Sequence, residues 1–209
     1  CHASRFAKVF LVNSSLFFCL SVIALAGCDL ELQKNYDYEA SVDDPHVNVT
    51  AWEYFQDHQD MFSEFTTAIE YTGLKDYYTQ TENKYTYLAL NNTAMQSYRE
   101  NAFPGIASIT DCDKETVKNM LLYHIVDGEY SSYGQLQVEA MFVLTMLPGE
   151  KGLMTMSVWK NPWQAAVGKI LVNETGSNGK SPQRNAKTSN ILPTNGVIHI
   201  FEKYCYYQK

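Results

Sequence analysis

The sequence carries no excess of basic residues, no low-complexity tract and no internal repeat. With 16 Lys and Arg against 23 Asp and Glu, the formal charge is −7. Nucleic acid selects basic surfaces, so that partner is excluded. Residues 1–27 hold Arg5 and Lys8 and no acid, which makes the remainder more acidic still. Missing too are Cys-x-x-Cys, His-Glu-x-x-His and Gly-x-Ser-x-Gly, and with them the usual redox, zinc and hydrolase signatures. Gly176-Ser177-Asn178-Gly179-Lys180-Ser181 ends like a phosphate loop, but the position of its first glycine holds Glu174. His58, between Asp57 and Asp60, reads as a solvated helix surface rather than a ligand set. No metal, cofactor or enzymatic activity is expected; among functional classes a hydrolase ranks last.

Thiols are scarce as well. Of five cysteines, only Cys28, Cys112 and Cys205 lie outside the first 27 residues. Those first residues read as a targeting segment, with a basic start at Arg5 and Lys8 and a mostly apolar run from Phe10 to Ala26. The run ends in Leu25-Ala26-Gly27-Cys28, which matches the bacterial lipobox, so Cys28 is the expected lipidation site. The expected division is a lipoprotein signal peptide at 1–27, an acidic tether at 28–47 and a folded domain at 48–209. Asp29 and Glu31 after the cysteine resemble the surface-export signals of Bacteroidota lipoproteins. An exported domain permits a disulfide between Cys112 and Cys205; otherwise each is a small buried hydrophobe.

Helices dominate the first half of the domain. Thr50 with Glu53 fits a capping box. Phe62, Phe65 and Ile69 form an apolar stripe that closes at Gly73, a C-cap. Residues 85–90 read as a strand, followed by a helix begun at Asn92 or Thr93. The clearest helix spans 110–124, capped by Thr110 or Asp113, with Val117, Met120, Leu121 and His124 on its apolar stripe. Strands follow at 141–146, 153–159 and 164–172, and 175–190 reads as a polar loop carrying Lys180, Arg184 and Lys187. Helices before strands with few alternations give an α+β class.

Near the C-terminus stands Thr194-Asn195-Gly196-Val197-Ile198-His199-Ile200-Phe201. Asn195-Gly196 is a turn signal because both residues tolerate positive φ. The strand after it is apolar on both faces and should be central. His199 is then a buried neutral ring that needs hydrogen-bond partners. The expected partner segment is 121–126, which carries Tyr123-His124. His124 and His199 are read as core histidines, not as a catalytic or metal pair.

These two segments, with Thr86-Tyr87-Leu88-Ala89-Leu90-Asn91-Asn92-Thr93-Ala94-Met95, resemble the three signature boxes of the fasciclin domain family. The resemblance implies a β-sandwich-like wedge with helices packed around it, and a non-enzymatic adhesion or protein-contact function. Together with the lipobox it implies a lipid-anchored protein of the outer membrane and cell surface. Its partner would be a starch-utilisation-type outer-membrane transporter and its lipoprotein, or an extracellular protein. In animal members an Asp-Ile motif before the last turn and the Tyr-His region contact integrins. The matching residues are Asn190, Ile191 and Leu192 beside Tyr123, the expected partner-binding rim; Asn190 stands where the acidic residue would be. Trp159 and Trp163 flank an Asn161-Pro162 turn and give an alternative, contact with a surface glycan. Asn48, Asn91 and Asn173 would be glycosylation acceptors in a eukaryotic setting.

Overall fold

The computed structural model describes residues 44–159, 168–174 and 181–206. Cys28, the expected signal peptide at 1–27, nearly all of the expected tether at 28–47, and Trp163 lie outside the described residues. The folded unit begins at Asp44.

Three helices open it: α1 (Ala51–Asp57), α2 (Gln59–Thr72) and α3 (Lys75–Thr79). The capping box forms, with Glu53 N–H donating to Thr50 Oγ1 and Thr50 N–H donating to Glu53 Oε2 at 2.8 Å. In α2 Phe62, Phe65 and Ile69 are fully buried, and Gly73 ends the helix in the left-handed region at φ 74°. That conformation suits glycine because it has no Cβ. Strand β1 (Tyr85–Leu90) is buried along its whole length.

Helix α4 (Asn92–Ala102) is capped one residue earlier than the sequence suggested, by Asn91, whose Oδ1 accepts from Ala94 N–H at 3.0 Å. The expected helix at 110–124 is split. Ile109–Asp111 is a separate 3-10 turn, and α5 (Lys114–Tyr123) starts at its Asp113 cap. Cys112, extended between the two, breaks the continuity. His124 is the C-cap of α5.

The strands β2 (Ile125–Asp127), β3 (Met141–Leu144), β4 (Leu153–Trp159), β5 (Lys169–Val172), β6 (Arg184–Asn185), β7 (Thr188–Ile191) and β8 (Gly196–Phe201) complete the fold. One sheet has the order β2-β1-β8-β7 and the other β3-β4-β5-β6. Strand β8 is interior, as its two apolar faces require, and runs parallel to β1 from Tyr85↔Gly196 to Leu90↔Phe201. The second sheet is antiparallel throughout. Two parts of the expected polar loop, β6 and β7, are strands instead. They hold the sheet edges by backbone hydrogen bonds, which do not require apolar side chains. Aromatic side chains from α1, α2, α3 and β1 and aliphatic ones from both sheets share one hydrophobic core. The result is the α+β wedge of helices and two four-stranded sheets.

Candidate contact surfaces

The expected turn forms, with Gly196 N–H donating to Pro193 O at 3.3 Å, but Asn195 and Gly196 do more than close it. Asn195 is fully buried and is not among the residues with positive φ. Its Oδ1 accepts the Ala51 N–H at 2.8 Å, and its Nδ2 donates to the carbonyls of Tyr78 and Gln80 at 2.9 and 3.1 Å. One amide thus satisfies the start of α1 and the end of α3, whose free backbone groups would otherwise be buried unpaired. Gly196, at φ 152°, lies so close to β1 that an added Cβ would meet Tyr85 O at 1.9 Å. The glycine is required by the parallel approach of two strands.

His199 is fully buried. Its Nδ1 accepts from Asn190 N–H at 3.1 Å and its Nε2 donates to Tyr130 O at 2.8 Å. The 121–126 segment is not its partner, because β1 stands between β8 and β2. His124, 1 % exposed, pairs elsewhere: Nδ1 donates to Met120 O at 2.7 Å and Nε2 accepts from Cys205 N–H at 3.1 Å. Each ring is one neutral tautomer with both nitrogens engaged. Burial pushes both imidazoles down to about 4, against the smaller upward pull of the carbonyl each one bonds.

Cys205 Sγ lies 3.2 Å from His124 Nε2, the spacing of a nucleophile and its base. The electrostatics run the other way. Burial raises the thiol well above its ordinary value while lowering the imidazole, so the pair stays neutral and unreactive. Cys112 and Cys205 are both buried and unbridged. Among the described residues no group of three His, Cys, Asp or Glu side chains stands together to hold a metal ion.

The expected rim divides. Tyr123 is fully buried, its one hydroxyl proton shared between Leu153 O at 3.2 Å and Asn173 Oδ1 at 3.1 Å. Asn190 is 5 % exposed; its amide bonds Ser132, and it adopts positive φ at 62°. Ile191 and Leu192 are half-buried. The chain's own residues 45–49 run beside 192–194, with Val47 N–H to Leu192 O at 3.0 Å, Leu192 N–H to Pro45 O and Thr194 N–H to Val49 O. That backbone edge is therefore already paired. Asn173 is buried with its amide donating to Cys205 O at 3.1 Å, so in the fold it is no glycan acceptor.

A surface that sequence reasoning missed lies on β3. Phe142 and Leu144 are 64 % and 61 % exposed, whereas Val143 between them is 3 % exposed and faces the core. The register sets Phe142 opposite Thr155 and Leu144 opposite Leu153, and strand alternation puts Trp159 on the same face further along β4. Trp159 is half exposed. Before β3, the Gln137 carbonyl accepts from Val158 N–H at 2.7 Å, which brings exposed Val138 alongside. The only local sign was a strand with no polar face, since a buried strand has the same pattern.

Fold and surfaces together define an α+β domain whose buried polar side chains join elements internally and whose exposed apolar side chains include Phe142, Leu144 and Trp159 on one sheet face. A family model for the fasciclin domain matches residues 60–205, and the chain belongs to that family. Human periostin is 27 % identical over 150 residues, covering 69 % of this chain. The chain spans only 14 % of periostin's length. A solved fasciclin domain pair from the insect cell adhesion molecule fasciclin I superposes with a TM-score of 0.54 at 15 % identity, over 76 % of this chain and 51 % of that one. At that identity the likeness speaks to fold. The family is found in cell-adhesion proteins, which supports a protein-interaction module here.

Proposed function

We propose that this chain is a lipid-anchored protein-contact domain of the outer membrane and cell surface, and that it docks a partner protein on the outward face of β3. The contact reading rests on Phe142 and Leu144, two large apolar side chains left mostly in water on an edge strand. Exposed apolar patches with polar rims mark interaction sites. Glu139 and Glu150, both exposed, lie in the chain just before and after β3. The partner is accordingly apolar with basic flanks. A second copy is disfavoured because two chains of charge −7 repel.

Support for the anchor comes from Leu25-Ala26-Gly27-Cys28, and for a bacterial surface address from Asp29 and Glu31. On that address the partner is a membrane importer of the starch-utilisation type or its lipoprotein. The domain acts by contact and not by catalysis; the buried, mutually neutral Cys205 and His124 agree with this.

Fully burying a Phe or Leu side chain contributes about 1.5–3 kcal/mol each. Phe142→Glu with Leu144→Glu should therefore reduce affinity for the partner at least a hundredfold while leaving the circular dichroism unchanged. The test is co-purification from membranes, with the partner first identified by cross-linking to the wild type. Equal recovery of that same partner by the double variant would overturn the proposal.

A further inference from the structure

The acidic chain gathers cations at one place. A cleft of about 370 Å³ opens where the chain leaves β6 of the second sheet for β7 of the first. Lys169, Arg184, Lys187 and Lys203 line it, and Glu202 is its one carboxylate among the described residues, 3.5 Å from Lys187 Nζ. Backbone hydrogen bonds fix the link between β6 and β7 that carries Lys187: Ala186 N–H to Ile170 O at 2.9 Å and Lys187 N–H to Ile200 O at 2.7 Å. The Arg184 guanidinium is held by the carbonyls of Tyr204 and Gln183, at 3.0 and 2.9 Å, while its Nη2 has no partner among the described residues. Such a restrained fork is suited to a carboxylate.

Two further features narrow the ligand. The amide of Asn185 also lines the cleft, and it can both donate to and accept from hydroxyls. Trp159 lies directly opposite Lys169 in the β4–β5 register, so its half-exposed ring stands beside a side chain that lines the cleft. An indole beside cations and an amide offers an apolar plane for a sugar ring, charges for its acid and hydrogen bonds for its hydroxyls. We infer that this cleft binds a carboxylated sugar, a uronate unit of an acidic polysaccharide, with Lys169, Arg184 and Lys203 on the carboxylate side and Trp159 against the ring.

The experiment is calorimetric titration of the domain with tetragalacturonate, maltotetraose and citrate. Tetragalacturonate should bind, with affinity falling as salt rises; maltotetraose should bind at least tenfold more weakly. Lys169→Glu with Lys203→Glu should abolish binding, and Trp159→Ala should weaken tetragalacturonate at least tenfold without changing citrate. Leu144→Glu should leave all three titrations unchanged, which separates this cleft from the β3 face. Four results would each overturn the inference: no tetragalacturonate binding at millimolar concentration, equal binding by the lysine variant, equal affinity for the neutral sugar, or citrate binding as tightly as the tetramer with no effect of Trp159→Ala.

Discussion

Lowering the pH should unfold this domain through its two buried histidines. In the unfolded chain each imidazole titrates near its ordinary 6.5, whereas burial pushes His124 and His199 down to about 4 in the fold. Between those values the unfolded state binds more protons than the native one, so stability is fully present above pH 6.5 and is lost as pH falls toward 4. For a shift of this size the loss from pH 7 to pH 4.5 is about 2–3 kcal/mol per ring, or about 5 kcal/mol for both. That rivals the whole stability of many domains. The geometry explains why the rings resist the proton. A proton on His199 Nδ1 would face the Asn190 N–H, and one on His124 Nε2 would face the Cys205 N–H. The assay is urea denaturation at half-unit steps from pH 7.5 to 4.5 for the wild type, His124→Asn and His199→Gln. Each variant should lose about 1–3 kcal/mol at pH 7 because a buried partner is stranded, and each should show a flatter pH dependence than the wild type. Asp44, Glu53 and Asp113 are held below their ordinary values by hydrogen bonds, so their contribution is lost only at the acid end and is common to all three proteins. Identical slopes in wild type and variants would refute the reasoning.

Asn195→Ala should cost roughly 2–4 kcal/mol by urea denaturation, since it leaves the Ala51 N–H and the Tyr78 carbonyl unpaired in the interior. Gly196→Ala should cost about 3 kcal/mol, read as a fall in melting temperature, because the new Cβ collides with the Tyr85 backbone. Cys28→Ser should release the protein from membranes or stall its processing, scored by fractionation and intact mass; normal cleavage with unchanged membrane retention would contradict the lipid anchor.

Local chemistry made much of the fold readable. The Thr50–Glu53 box, the Gly73 stop, the 85–90 strand and the interior position of β8 all follow from short-range patterns, and the structure has each. What failed was pairing at long range. Burial of the His199 ring could be read from its apolar neighbours, but Asn190 and Tyr130 as its partners could not, because the order of strands decides them. Strands β6 and β7 escaped notice because edge pairing uses the backbone and leaves no side-chain period. Of the expected rim, Tyr123 and Asn190 turn inward, while Phe142 and Leu144, which the sequence did not single out, stay outside. Both outcomes depend on which elements cover a face, a property of the assembled layers rather than of any one segment.

On the proposed function the domain meets a partner protein through β3. The most direct measurement is photo-cross-linking in intact cells, with a photoreactive phenylalanine at position 142 and, as control, at the exposed position 82. One discrete adduct is expected from position 142, carrying a single partner protein, lost when Leu144→Glu is added and absent from position 82. No adduct from position 142, or the same adducts from both positions, would contradict it.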